Sequence, residues 1–248
     1  MDVSFQLYSS REVPSQVAFL RTLADLGYTQ VEGYGGVYDD PTGFRDALDA
    51  VGLTMPSGHF ALDALETEFD SCLQIARSLG MQRLYAPYLA ASDRPTHSAG
   101  YAALARRLAA VGSWVQDEGL TFGWHNHDFE LAPLTDGGIP LEILLTEAPA
   151  ITWEGDLAWI IRSGADPVDW VTRHGARLSA VHVKDIATPG QNADEDGWAD
   201  VGQGAVDWAY LTAQVRAAAP DALMIMEHDK PSDATRFARN SIQAFSKY

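Results

Sequence analysis

The chain has 248 residues with 17 basic against 34 acidic side chains, a formal net charge of −17, with 46% hydrophobic and 21% charged residues. That is globular composition, and it excludes wholesale disorder, collagen-like repeats and low complexity. A surface this acidic repels phosphate backbones and anionic lipid, so neither nucleic acid nor membrane is an expected partner. Cys72 is the single cysteine, so no internal disulfide can form, and its place in an apolar helical pattern predicts a buried thiol. Met1-Asp2-Val3-Ser4 has neither a basic nor an apolar leader character, and no run of 18 apolar residues occurs. The expectation is a cytoplasmic protein.

Short β-like runs alternate with longer amphipathic ones. Val3–Tyr8 reads as a strand, and a helix through Val17, Leu20, Leu23, Ala24 and Leu26 follows, stopped at Gly27. Thr29–Tyr34 is a second strand, then a helix on Phe44, Ala47, Leu48 and Val51 to Gly52. Leu53–Ser57 is the third, then a helix on Phe69, Cys72, Leu73, Ala76 and Leu79 to Gly80. Arg83–Tyr88 is a weaker fourth strand because it contains Pro87. A long helix from Tyr101 to Val115 leads to the fifth, Leu120–His127. Helical segments after Ile139, Pro167 and Trp208 separate strands at Ile151–Asp156, Leu178–Val183 and Ala222–Glu227, and a last helix carries Phe237, Ile242 and Phe245. The Gly/Asp-rich stretch 189–204 reads as one long loop.

Eight strands, each followed by a helical segment, imply a parallel sheet, because every crossover must return outside it. In 248 residues that is the arithmetic of an α/β protein folded as one (β/α)8 TIM barrel, a single domain over 1–248. A doubly wound sheet would show a glycine-rich turn after the first strand, and Tyr8-Ser9-Ser10-Arg11 is not one.

Barrel chemistry sits where strands end. The fifth to eighth strands finish in Trp124-His125-Asn126-His127, Trp153-Glu154-Gly155-Asp156, Val181-His182-Val183-Lys184 and Met226-Glu227-His228-Asp229. Imidazole and carboxylate from four neighbouring strands suit a first-row divalent ion. Side-chain alternation then selects His125, Asp156, His182 and Glu227 as one ring of metal ligands. His127, Lys184 and Asp229 should stand nearer the mouth, with Glu154 one layer deeper.

On these residues the chain resembles the sugar phosphate isomerase/epimerase family of xylose-isomerase-like TIM barrels. The resemblance rests on WHNHDFE (124–130), WEGDLAW (153–159), VHVKD (181–185), VGQGAVDW (201–208) and MEHD (226–229). It implies one divalent cofactor ion, Mn2+ first and Mg2+, Co2+ or Zn2+ otherwise, on the same four ligands. It also implies a small-molecule carbohydrate as substrate and a possible homo-oligomer. Tagatose-epimerase-like members carry Glu where His125 stands, so His-Asn-His looks more like inosose dehydratase and its neighbours.

The reaction expected is proton abstraction beside a metal-bound carbonyl through an enediolate, giving isomerisation or epimerisation of a sugar or keto-sugar. A lyase reaction, by dehydration or cleavage of a 3-keto-glycoside, is the alternative on the same site, and a non-catalytic sugar-binding barrel is another. A repair nuclease would need more histidines and a basic groove. His127 is the leading acid/base because its free pKa lies near working pH. Glu227 is the second choice, and Lys184 would stabilise developing charge or simply pair with Asp185. Glu32, His59, Glu130, Trp159 and Lys184 are the expected substrate contacts. Weak basic character at the mouth, limited to Lys184, Lys230 and Arg11, favours an uncharged substrate over a phosphate.

Overall fold

A computed structural model describes residues 2–248. Eight parallel strands close into a barrel: β1 (Ser4–Gln6), β2 (Gln30–Gly33), β3 (Thr54–His59), β4 (Arg83–Ala86), β5 (Thr121–His125), β6 (Thr152–Asp156), β7 (Leu178–Val183) and β8 (Leu223–Met226). Each lies beside its sequence neighbours, and β1 closes the ring against β8. The outer layer comprises α1 (Gln16–Leu26), α2 (Pro41–Val51), α3 (Leu62–Thr67), α4 (Phe69–Leu79), α5 (Ser98–Asp117), α6 (Pro140–Glu147), α7 (Leu157–Arg162), α8 (Pro167–His174), α9 (Trp208–Ala218) and α10 (Ala234–Phe245). The (β/α)8 architecture expected from the alternation is the one formed. Among the described residues no helix is long and apolar enough to cross a membrane.

Local chemistry sets the helix boundaries. Ser15, Asp40, Asp166, Asp207 and Asp233 accept N–H bonds at helix starts. Gly27 closes α1 with φ at 101°, a left-handed conformation that glycine adopts without strain. In α1 the buried face is Phe19, Leu20 and Leu23, while the anticipated Val17 is exposed.

Several strands differ in extent from the sequence reading. β1 ends at Gln6 because Leu7–Ser10 tightens into a 3-10 turn, and β4 stops at Ala86, leaving Pro87 outside the ladder. β3 runs on to His59. β5 stops at His125, so Asn126 and His127 leave the ladder. Two helices, α7 and α8, stand between β6 and β7. The stretch 189–204 is not a plain loop, since Trp198–Ala199 pairs antiparallel with Asp185–Ile186.

The main core lies between strands and helices and takes in outward side chains such as Phe5, Val31, Trp124, Trp153 and Val181. Inside the barrel a small apolar plug of Tyr85, Ala180 and Ile225 fills the interior. The rest of the interior is polar: Gln6, Glu32, Ser57, Glu154 and His182 are all buried. Gly123, on the same strand face as His125, makes room for this layer. A Cβ there would stand 2.7 Å from the Thr152 carbonyl and 2.9 Å from the Tyr85 ring.

Asp185 organises the segment after β7. Its carboxylate accepts backbone N–H groups of Ile186, Gly202, Gly204 and Val206, and Gly204 has no space for a Cβ beside it. Asp185→Ala strands these donors, at roughly 1–3 kcal/mol for each one left without a partner. We expect a lower urea midpoint and faster amide exchange at Gly202, Gly204 and Val206. An unchanged midpoint with unchanged protection would contradict this role for Asp185.

Candidate metal and substrate site

The ends of β5 to β8 bring one ligand atom each from His125, Asp156, His182 and Glu227 within 4.8 Å of one another, and all four side chains are buried. The barrel's stagger places them. Asp156 and His182 are register partners, whereas His125 is level with Glu154, so the four form a slanted group instead of one register row. A second group, His59, His125, Glu154 and His182, meets the same 4.8 Å limit one step deeper.

His182 joins the two. Its Nδ1 is 2.8 Å from Glu227 Oε2 and its Nε2 is 2.8 Å from Glu32 Oε2. Glu32 also accepts from Gln6 Nε2 at 2.8 Å and Ser57 Oγ at 2.6 Å. Glu154 Oε2 lies 2.6 Å from His59 Nε2 and 3.2 Å from His125 Nδ1. Burial alone would lower the pKa values of His59 and His182, but the carboxylates around them win: His59 is pushed up to about 10 and His182 well above its ordinary value. His125 goes the other way, held neutral by burial and by the neighbouring His182.

Lys184 is fully buried, with Nζ 2.9 Å from Asp156, 2.8 Å from Glu227 and 3.0 Å from Asp229. The pairing with Asp185 considered from sequence does not form, because Asp185 turns to the backbone of the following loop. Burial would raise the pKa of Glu227, yet Lys184 and His182 hold it well below the ordinary carboxylate range. Asp156 is raised by burial and by the nearby Glu227, against the pull of Lys184.

The donor set passes a chemical test for a divalent ion. Two imidazoles and two carboxylates are hard-to-borderline ligands. Asp156 Oδ2 lies 2.9 Å from Lys184 Nζ and His125 Nδ1 3.2 Å from Glu154 Oε2, yet neither buried atom makes a well-directed hydrogen bond, which leaves both able to turn to a cation. Asn126 stiffens the site: its Oδ1 accepts from Trp153 Nε1 and from the Asp156 N–H, and its Nδ2 donates to the Asp156 carbonyl. Nothing in the sequence reading gave Asn126 this task; its signal is an amide directly after a strand-end histidine.

The remaining residues singled out in the sequence fall into distinct places. His127 and Asp229 line a cavity of about 910 Å³ above the ring, together with His59, His125 and Glu227. The near-neutral pKa taken for His127 does not hold, because burial and the Lys184 ammonium push it down to about 3. Glu130 is not at the cavity: it accepts from Trp124 Nε1 and the His127 N–H, and burial lifts it to about 8. Glu32 lies beneath the ring instead of at the mouth. Trp159 sits between His127, at 5.5 Å, and the Trp198 ring, at 4.7 Å, with Lys184 Nζ 5.2 Å from its centroid. Trp124 is wholly buried in the barrel wall.

A family model described as a xylose isomerase-like TIM barrel matches residues 20–248. Among curated proteins no sequence matches the chain. Among solved structures, a sugar phosphate isomerase/epimerase from Parabacteroides distasonis ATCC 8503 is similar with TM-score 0.83 at 18% identity, covering 100% of this chain and 98% of that one. The probable 3-DHS dehydratase AsbF, involved in petrobactin synthesis in Bacillus anthracis, gives TM-score 0.79 at 16% identity over 99% of both chains. The IolI protein with a bound zinc atom gives 0.81 at 12%, over 100% of this chain and 97% of that one. At these identities the likeness concerns the fold.

The ion-pair geometry makes a stability prediction. Lys184→Met leaves Asp156, Glu227 and Asp229 without their ammonium. Loss of one partner of a buried pair costs roughly 3–5 kcal/mol. In chelator the variant should unfold at clearly lower urea, and saturating Mn2+ should recover part of the loss. A variant as stable as the parent in chelator would refute the charge assignment.

Proposed function

The chain belongs to the xylose isomerase-like TIM barrel family, and on that premise we propose that it is a divalent-metal-dependent isomerase or epimerase moving a proton beside the carbonyl of an uncharged sugar or keto-sugar. The observation that carries this reading is the convergence of His125, Asp156, His182 and Glu227, with Lys184 among them, at the foot of an open cavity. In it those four residues hold the ion, Mn2+ first among Mg2+, Co2+ and Zn2+. When bound, such an ion polarises a carbonyl and steadies the negative charge that develops as the neighbouring carbon loses its proton.

The chain's own residues divide the remaining work. Glu227 and Asp156 stay fixed by Lys184, and Glu227 by His182 as well. Held ionised by these cations, Glu227 is a holder before it is a base. The Lys184 ammonium is a fixed positive charge for a substrate oxygen that turns anionic. His127 is the group for proton transfer: its ring lines the cavity and its buried Nδ1 has no partner. Its proton affinity is low at rest, and rises when negative charge develops beside it, which couples protonation to the reaction. Glu130 positions His127 by holding its backbone, and His59, locked to Glu154 and Glu32, offers a charged N–H face at the cavity floor.

A second reading, β-elimination from a keto-sugar, uses the same residues and differs in what departs. The cavity favours it in one respect: it extends well past the ring, so the substrate has room for a group beyond the sugar.

Solvent exchange tests the shared step. Protein supplied with Mn2+ and incubated in D2O with ketohexoses and 3-keto-glycosides should place deuterium on the carbon next to the carbonyl, read by NMR. Asp156→Ala should lose both bound metal and exchange. His127→Gln should keep its metal and exchange roughly 10²–10⁴-fold more slowly. Full exchange in Asp156→Ala, or in His127→Gln, would contradict the corresponding role.

A further inference from the structure

The cavity above the ring has two unlike halves. Near β5 and β8 it is polar, with His125, His127, Glu227 and Asp229. On the side of β2, β3 and α4 it continues as an annex walled mainly by Tyr34, Tyr38, Phe60, Ala64, Cys72 and Ile75, with Glu68 and Ser71 as polar members of the same segments. This half is built for ring-shaped apolar groups. Tyr38 stacks on Phe60 with centroids 4.8 Å apart and planes 19° from parallel, and Tyr34 meets Tyr8 edge to face at 5.5 Å. Two glycines make way for Tyr38: a Cβ on Gly58 would stand 2.4 Å from its Oη and one on Gly33 2.9 Å. Tyr8 and Tyr88, among the few large hydrophobic side chains left exposed, both border the same cavity.

A free monosaccharide carries hydroxyls on nearly every carbon, and along these mainly apolar walls most of them would lose their water for few replacement partners. A volume of about 910 Å³ lies at the upper end of the roughly 300–1,000 Å³ that hold drug-sized ligands. Resting on the sugar reading above, we infer that the substrate is not a free sugar but a keto-sugar bearing an apolar, aromatic-sized substituent, with the sugar over the ring and the substituent in the annex.

Calorimetric titration of the Mn2+-supplied protein with methyl and phenyl 3-keto-glucosides tests this. The phenyl compound should bind about 10- to 100-fold tighter, as burial of a phenyl-sized apolar group yields. Ala64→Trp and Ile75→Trp fill the annex from two different helices, and in whichever folds the ratio should fall towards unity. Equal affinities in the parent protein would overturn the inference while leaving the sugar reading intact. A ratio preserved in a filled variant would also overturn it. Binding of neither compound would overturn the inference, and the sugar reading falls with it only if deuterium exchange into ketohexoses is absent as well.

Discussion

Five carboxylates, Glu32, Glu154, Asp156, Glu227 and Asp229, meet at one end of the barrel, and the cationic side chains in contact with them among the described residues are His59, His182 and Lys184. If all five ionise, two negative charges are left over. Inside a protein such a surplus is expensive, and it must be met by protons or by a cation. The directions follow that rule: Glu154, Asp156 and Asp229 are all raised, Asp229 to about 6, while Glu32 and Glu227, each with two cations within 3.2 Å, are lowered. A dication bound at the ring would cancel the surplus and release those protons. The site's chemistry follows from this imbalance of charge.

The fold makes the imbalance possible. Parallel strands point their ends to one rim, and the stagger brings four consecutive ends to one place. The polar interior layer of Gln6, Ser57 and Glu32 then fixes His182 from below, while Lys184 fixes Asp156 and Glu227 from the side. Three of the four ligands, His182, Asp156 and Glu227, are thus oriented by a neighbour that is not itself in the ring, and such neighbours tune ligand basicity and geometry. The annex stands apart from this machinery. It is carried by the loops after β2 and β3 and by α3 and α4, and loops of this kind vary without disturbing the barrel.

Much of this is readable from residue order. The alternation of short apolar runs with amphipathic segments and glycine stops marks the eight units, and period-two spacing picks out His125, Asp156, His182 and Glu227. Strand ends were less legible, since β5 leaves the ladder at His125 and His127 therefore follows no alternation rule. Partners distant in sequence were not legible at all. Lys184 chooses Asp156, Glu227 and Asp229 over adjacent Asp185 because the backbone of residues 202–206 has already claimed Asp185. Glu32 and Glu130 are buried by contacts 150 residues away and six residues away respectively, and a carboxylate in a sequence carries no mark of the side it will face. The annex was invisible for the same reason: Tyr38, Phe60 and Ile75 belong to no stripe or strand end that residue order picks out, and only the folded chain brings their three separate segments around one space.

Anomalous X-ray scattering from crystals of the Mn2+-loaded protein, collected on both sides of the manganese edge, tests the central claim most directly. The account predicts one strong site per chain, bonded to His125, Asp156, His182 and Glu227, with Lys184 still beside the carboxylates. A peak centred on His59 and Glu154 instead, or no ordered ion at the strand ends, would contradict it.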